Sequence, residues 1–371
     1  ICEKIDQYRH LIKKNNTFIN KPINKKKLKI LHITNFNERH NGRLFYNTGR
    51  RINNGFIRLN HNVLELSDRD IVSYSRGIGD PKGFLKLNKK FLEIVSNYVP
   101  DLIVFGHADL ITNQSIEFIK KNYPNIKICQ WFLDRMDSEW KINKLRFKKK
   151  MHLMDANFCT TEPTSLNFDD KNKTFYMPNC VDESLEMLKT YENNYFKSDV
   201  FFAMSHGVHR GVLKKGKIDT RENFINNLIK LSPDVKFDCY GVNGIQPIWS
   251  EDYLRAISRN KIGLNLSQGK SLNYYSSDRF SQLIGNGLLV MIDEQTKIGN
   301  FFNKNEIITY NNLSDLSEKI MKYSSDDKLR KKIAKNGRDK YFKYFNSQII
   351  AEFIINKTFQ FNKKYYWEKF L

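Results

Sequence analysis

The sequence predicts a two-domain α/β protein in which each domain is a Rossmann-like parallel sheet with helices on both faces. Three observations carry this. Strand-length apolar runs alternate with amphipathic helical stretches along most of the chain. Those runs are apolar throughout rather than alternating, as in strands buried on both faces. A polar stretch without strand character, residues 183–197, interrupts the alternation, which then restarts. The length of 371 residues exceeds one ordinary core and suits two.

Residues 1–20 place Ile5, Tyr8, Leu11 and Ile12 near helical spacing, and a basic linker runs from Lys21 to Lys27. Strands are then expected at 28–33, 62–66, 102–106, 127–132, 156–160 and 175–177. Between them, helices are expected at 43–59, 84–98, near 113–122 and near 139–151. The second of these sets Phe84, Leu87, Phe91, Ile94 and Val95 on one face, and Pro100 closes it. In the second half, strands are expected at 200–204, 236–240, 262–266, 288–292 and 306–310. Helices are expected at 220–231, 250–259, 278–286, near 314–323 and near 326–345. A last helix over 347–361 is apolar along Ile349, Ile350, Phe353 and Ile354. The domains so drawn are 28–190 and 198–345, preceded by residues 1–27 and followed by 346–371.

Hydrophobic residues make up 40% of the chain, enough for substantial cores. No apolar run approaches the roughly 20 residues of a membrane helix, and residues 1–27 carry no secretory h-region. The chain starts at Ile1, so a longer parent protein stays open. Cys2, Cys129, Cys159, Cys180 and Cys239 are odd in number and lack C-x-x-C spacing. They read as thiols in a reducing, cytoplasmic compartment, with Cys129, Cys159 and Cys239 buried in strands. The formal charge of +22 suits an anionic partner: nucleic acid, the inner face of an anionic membrane, or phosphorylated substrates. Lysine runs such as Lys25 to Lys27 and Lys148 to Lys150 also fit the compositional bias of an AT-rich genome.

Ligands of open parallel sheets bind beyond the strand C-termini, which singles out two loops. After the strand ending at Leu266 come Ser267, Gly269, Lys270, Ser276 and Ser277, and then a helix opened by Asp278 and Arg279. Ser276 and Ser277 suit an N-cap, the helix start favours an anion, and Lys270 and Arg279 add charge. The same residues also suit an ordinary capped helix on a basic protein. The loop His206 to Gly216 carries Arg210, Lys214 and Lys215, and Arg221 opens the next helix. Such groups neutralise a diphosphate leaving group, although a basic surface loop has the same composition.

The order of elements resembles the C-terminal domain of GT-B fold glycosyltransferases (glycosyl transferases group 1). Within them it is closest in pattern to the bacterial group related to spore-maturation protein B. The resemblance rests on Asp219-Thr220-Arg221-Glu222-Asn223-Phe224, on Asp278-Arg279-Phe280 running to Gly287, and on Asp293 and Phe301-Phe302. Glu306, Tyr310 and the run from Arg330 to Tyr344 follow the same pattern. It covers residues 198–345 and, in layout only, the N-terminal half. It implies a nucleotide-diphosphate sugar in the cleft, with Tyr240 and Gly241 near the base and the acceptor on the N-terminal side. It also implies a final helix that returns to the N-terminal domain, and a diphosphate held without a metal or other cofactor. Where the family has Glu after Arg-Phe this chain has Ser281, so Asp278 or Ser281 would meet the ribose. The acceptor would be a glycan, lipid-linked sugar or protein, in keeping with bacterial cell-surface polysaccharide synthesis.

Candidate general bases follow N-terminal strands: His107 after Phe105-Gly106, and Asp134 after Phe132-Leu133. Gly42 and Arg43 are candidate acceptor-loop residues. Each also suits a polar residue at a strand end. No P-loop and no G-x-G-x-x-G after a strand is present. His206 and His209 lack a third ligand, so no metal site is expected. Two other readings remain: a nucleic-acid or anionic-surface binder, although no specific nucleic-acid motif is present, and a catalytically inactive GT-B binding module.

Overall fold

The computed structural model describes residues 27–168, 173–205 and 219–371. The expected helix over residues 1–20 and the basic loop with Arg210, Lys214 and Lys215 lie outside the described residues. Two parallel sheets are present. The first contains β1 (Lys29–Thr34), β2 (Asn62–Ser67), β3 (Leu102–Gly106), β4 (Lys127–Phe132), β5 (Ala156–Cys159) and β6 (Thr174–Tyr176), in the order β2-β1-β3-β4-β5-β6. The second contains β7 (Val200–Ala203), β8 (Phe237–Tyr240), β9 (Ile262–Asn265), β10 (Leu289–Asp293) and β11 (Ile308–Tyr310), in the order β11-β10-β9-β7-β8. Both begin in a doubly wound order whose direction reverses beside the first strand, at β1/β3 and at β7/β9. Such reversals open a crevice at the strand C-termini.

The continuous apolar runs have the cause anticipated for them. In β1, Ile30 belongs to one core with Ile52 and Phe56, while Leu31 and Ile33 belong to another with Leu87, Phe91 and Val95. The helices supplying these faces include α1 (Thr48–Arg58), α2 (Asp68–Tyr74), α3 (Phe84–Tyr98), α4 (Asn113–Asn122) and α5 (Lys141–Met151). Around the second sheet run α6 (Thr220–Leu231), α7 (Ser250–Ser258), α8 (Arg279–Gly285), α9 (Leu313–Ser325) and α10 (Asp327–Tyr344), and α11 (Ser347–Thr358) follows.

Some elements differ from expectation. The helix expected from residue 43 starts at Thr48, because Asn47 caps it by accepting the Arg50 N–H at 3.0 Å. Asn41 and Gly42, in left-handed conformations, turn the chain before it. Helix α2 was not foreseen; its seven residues are too few for a periodic pattern. The strand expected from Glu306 starts at Ile308, since the Glu306 carboxylate instead accepts the Asn303 N–H at 2.7 Å. The last helix ends at Thr358. Cys129, Cys159 and Cys180 are buried, but Cys239 is only half-buried, on the edge strand β8.

Helix α11 leaves the second domain and lies on α1 and the first sheet, where Phe353 meets Phe158 and Phe175. The approach is close because Gly55 of α1 has no side chain: a Cβ there would run into the Ser347 carbonyl. A buried polar junction joins the same elements. Arg51 donates to Glu186 at 2.6 Å and to Asp278 at 3.0 Å. Asp182 takes Arg58 at 3.0 Å and the Ser347 hydroxyl at 2.6 Å.

Alanine is a better helix former than glycine by about 1 kcal/mol, so propensity alone would make Gly55→Ala stabilising. The collision with Ser347 should reverse that sign, as overpacking costs about 1–3 kcal/mol. Gly55→Ala should therefore lower the melting temperature in a calorimetric scan; an unchanged or raised value would show that α11 does not seat on α1.

Candidate active site

The C-terminal ends of the two sheets face one another across a cleft of about 1120 Å³. Single-ligand pockets run to roughly 1,000 Å³, so there is room for two substrates. Its lining crosses the domains: Tyr46 of the first stacks on Tyr253 of the second at 5.5 Å. Both order reversals open into it, through Thr34 and His107 on one side and Ala203 and Ser267 on the other.

On the second domain's wall sits Arg279. Its Nε donates to the Ala203 carbonyl at 2.7 Å and its Nη1 to the Leu266 carbonyl at 3.0 Å. The side chain thereby bridges the ends of β7 and β9. Among the described residues no carboxylate forms an ion pair with it. Burial, followed by the charge of Arg221, pushes its pKa down to about 10. A guanidinium so placed lacks a counter-charge, and an anion in the cleft would supply one. Arg221 also lines the cleft, but Asp219 already neutralises it at 2.8 Å. Nearby, the buried Ser267 hydroxyl has no hydrogen-bond partner among the described residues, and neither does the Trp140 indole N–H on the opposite wall.

The loop from Ser267 to Ser277 is clasped from across the cleft. Arg135 donates to the carbonyls of Gln268 at 2.8 Å and Lys270 at 2.5 Å. Gly269, at φ +76°, holds a backbone conformation there that side-chain-bearing residues rarely adopt. Arg135 is a residue that sequence reasoning passed over, although it directly follows Asp134: its pairing with Asp137 is a local surface pattern, and its two carbonyl acceptors across the cleft leave no mark in the sequence.

On the N-terminal side His107 and Asp134 meet. His107 Nδ1 lies 3.6 Å from an Asp134 oxygen, and the ring stacks on Phe132 at 4.0 Å. His107 Nε2 accepts the Leu133 N–H at 2.8 Å. That bond places the proton on Nδ1, so the ring presents a donor to the cleft and not a free lone pair. Burial lowers its pKa and keeps it neutral near pH 7. This geometry suits His107 to hydrogen-bond donation, not to the base role first considered for it. Its backbone, at φ +50°, lies in the left-handed region. Asp134 is half-exposed to the cleft, 3.7 Å from Arg146.

The remaining candidates fall as follows. Ser277 and Asp278 line the cleft. The Asp278 carboxylate already accepts from Thr48 at 2.9 Å, Arg51 at 3.0 Å, Ser281 at 3.1 Å and Gln282 at 2.6 Å. Four donors match the capacity of a carboxylate, so ribose hydroxyls would have to displace one. Ser281 is fully buried behind it. Helix α8 is capped by neither Ser276 nor Ser277: Asp278 holds the N-cap position without a side-chain bond. Ser276 faces away, its carbonyl accepting from Asn179 at 3.1 Å. Lys270 is exposed at the rim. The Tyr240 hydroxyl is engaged by Arg259, and Gly241, at φ +72°, packs on the Met204 carbonyl. Neither lines the cleft. Arg43 covers Trp249, a lining residue, at 5.5 Å, with Gly42 in the turn before it. Among the described residues no group of three His, Cys, Asp or Glu side chains converges as metal ligands would.

Behind the cleft wall Asp68 is fully buried without a well-formed hydrogen bond, and burial pushes its pKa up to about 7. The folded protein therefore keeps a proton that the unfolded chain releases near pH 4, and stability falls as pH rises through that window. Asp68→Asn should remove this slope. The variant should match the parent near pH 4 and be more stable at pH 8 in denaturant titrations; equal pH profiles would contradict the assignment.

Residues 220–356 match a family model described as glycosyl transferase-like. Solved structures share the fold across nearly the whole chain at low identity. A glycosyltransferase from Rickettsia africae is 13% identical, covers 92% of this chain and 100% of its own, and has a TM-score of 0.52. Anabaena Alr3699/HepE in complex with UDP and glucose is 11% identical, with coverage of 89% and 98% and a TM-score of 0.55. A protein from Listeria monocytogenes described as a putative UDP-N-acetylglucosamine 2-epimerase is 10% identical, with coverage of 91% and 98% and a TM-score of 0.51. No curated protein matches the sequence. The architecture is the GT-B fold, two Rossmann-like parallel-sheet domains.

Proposed function

We propose that the protein is a glycosyltransferase that takes a sugar from a nucleoside-diphosphate donor. The carrying observation is Arg279, a guanidinium on the cleft wall with no carboxylate partner among the described residues. The diphosphate would supply the missing charge, with the Ser267 hydroxyl as a further ligand. The chemistry asks most of this wall as the sugar bond breaks, because negative charge then builds on the leaving diphosphate. In this reading basic side chains, not a metal, stabilise that charge.

The acceptor, a glycan, lipid-linked sugar or protein, enters beside His107 and Asp134. Asp134 acts as base for the acceptor hydroxyl if the transfer inverts, and the neutral His107 Nδ1–H orients it or the sugar. Fold likeness by itself reaches a putative epimerase as readily as a transferase, so the reaction needs its own test.

UDP, GDP or ADP should raise the melting temperature of the parent, and Arg279→Gln should erase that rise. Asp134→Asn should keep it but lower the rate of sugar release from the matching nucleotide sugar by about 100-fold or more. Absence of a shift with every nucleoside diphosphate would refute the reading. A donor returned with inverted sugar configuration and no transfer would replace it with epimerisation.

A further inference from the structure

Helix α5 carries two opposed apolar faces. Phe147 and Met151 are buried against the domain, while Ile142 and Leu145 are 74% and 67% exposed. At 100° per residue, Ile142 and Leu145 fall on the same outward face as Lys141, Lys148 and Lys149, all exposed. The helix contains no acidic residue. Its other basic side chains are used internally: Arg146 binds Asp109 at 3.1 Å, and Lys150 reaches the Asp109 carbonyl at 3.3 Å. The outward face is thus an apolar centre framed by lysines.

A second site repeats this composition. The tip after α2 exposes Tyr74 and Ile78, and Arg76 and Lys82 stand exposed beside them. Asp109 ties the two elements together, because it also accepts from Arg69 of α2 at 3.4 Å. Both belong to the N-terminal domain, and Trp140, Asn143 and Arg146 at α5 line the cleft.

We propose that this face docks the N-terminal domain onto an anionic lipid bilayer. Phosphates of nucleic acid would use the lysines but gain nothing from exposed isoleucine and leucine. A bilayer interface takes both, with apolar side chains entering between headgroups and lysines meeting anionic lipid. Docking there sets the acceptor side of the cleft beside the membrane. The proposal does not depend on the transfer reading.

The test is cosedimentation of the full chain with phosphatidylcholine vesicles, with and without phosphatidylglycerol. Binding should require phosphatidylglycerol. Lys141→Glu/Lys149→Glu should weaken it on the order of 100-fold, and Ile142→Ser/Leu145→Ser at least about tenfold. Because these side chains are exposed, the melting temperatures should not change, which separates lost docking from lost folding. Equal sedimentation with both vesicle types would overturn the proposal. So would full binding by the Ile142→Ser/Leu145→Ser protein, or a DNA duplex that competes the vesicles away from both variants alike. Vesicle binding is read without catalysis, so its failure leaves the transferase reading intact.

Discussion

The buried Arg51 guanidinium is the constraint on which the cleft depends. It belongs to the first domain, yet its counter-charges are Glu186, on the connecting segment, and Asp278, at the start of α8 in the second. Burial works against its charge, but the two carboxylates hold its pKa well above the ordinary value. Removing one partner from such a group costs about 3–5 kcal/mol, so the domains are held where both carboxylates can reach it. The Tyr46–Tyr253 stack and the Arg135 clasp form in that arrangement. The cleft therefore has two defined walls and a fixed spacing between them.

Arg279 is the counterpart to Arg51. Both are arginines enclosed near the interdomain boundary, but one is neutralised twice, while the other meets two carbonyls, the Ser277 hydroxyl and the Phe202 ring and, among the described residues, no carboxylate. A carbonyl dipole satisfies a hydrogen bond without cancelling a charge, so the wall keeps a positive potential in a partly water-excluded space. Across from it stands a carboxylate beside a histidine whose tautomer is fixed by a backbone N–H. In the proposed reading the positive charge meets the leaving group and the carboxylate meets the incoming hydroxyl, the two halves of a group-transfer site. The fold itself is shared with a protein described as a glycosyltransferase and with one described as an epimerase; in the proposed reading it is these side chains, not the architecture, that argue for transfer.

Much of the architecture was legible because parallel strands buried on both faces leave long apolar runs. Leu102-Ile103-Val104-Phe105 and Leu289-Val290-Met291-Ile292 could be little else. Helix α1 was harder to delimit, since Gly49 and Gly55 weaken its helical signal. They are there so that Thr34 and Ser347 can approach closely, which is a tertiary requirement. In the site, the loop from Ser267 to Arg279 stood out through its strand-to-helix position. The roles inside it did not. Asp278 was expected to face a ribose, but its partner Arg51 is 227 residues away in sequence. Arg135 was passed over because only its Asp137 partner is near in sequence, while the acceptors that matter to the cleft are carbonyls in the other domain. His107 was read as a base because sequence cannot show that Leu133 occupies its lone pair.

The most direct measurement is a crystal structure of the protein with UDP or GDP bound. The diphosphate oxygens should lie within hydrogen-bond distance of the Arg279 guanidinium, on the β7/β9 side of the cleft, with the Arg51–Glu186–Asp278 junction unbroken. A nucleotide bound on the His107 side, or one that leaves Arg279 bonded only within the protein, would contradict the assignment.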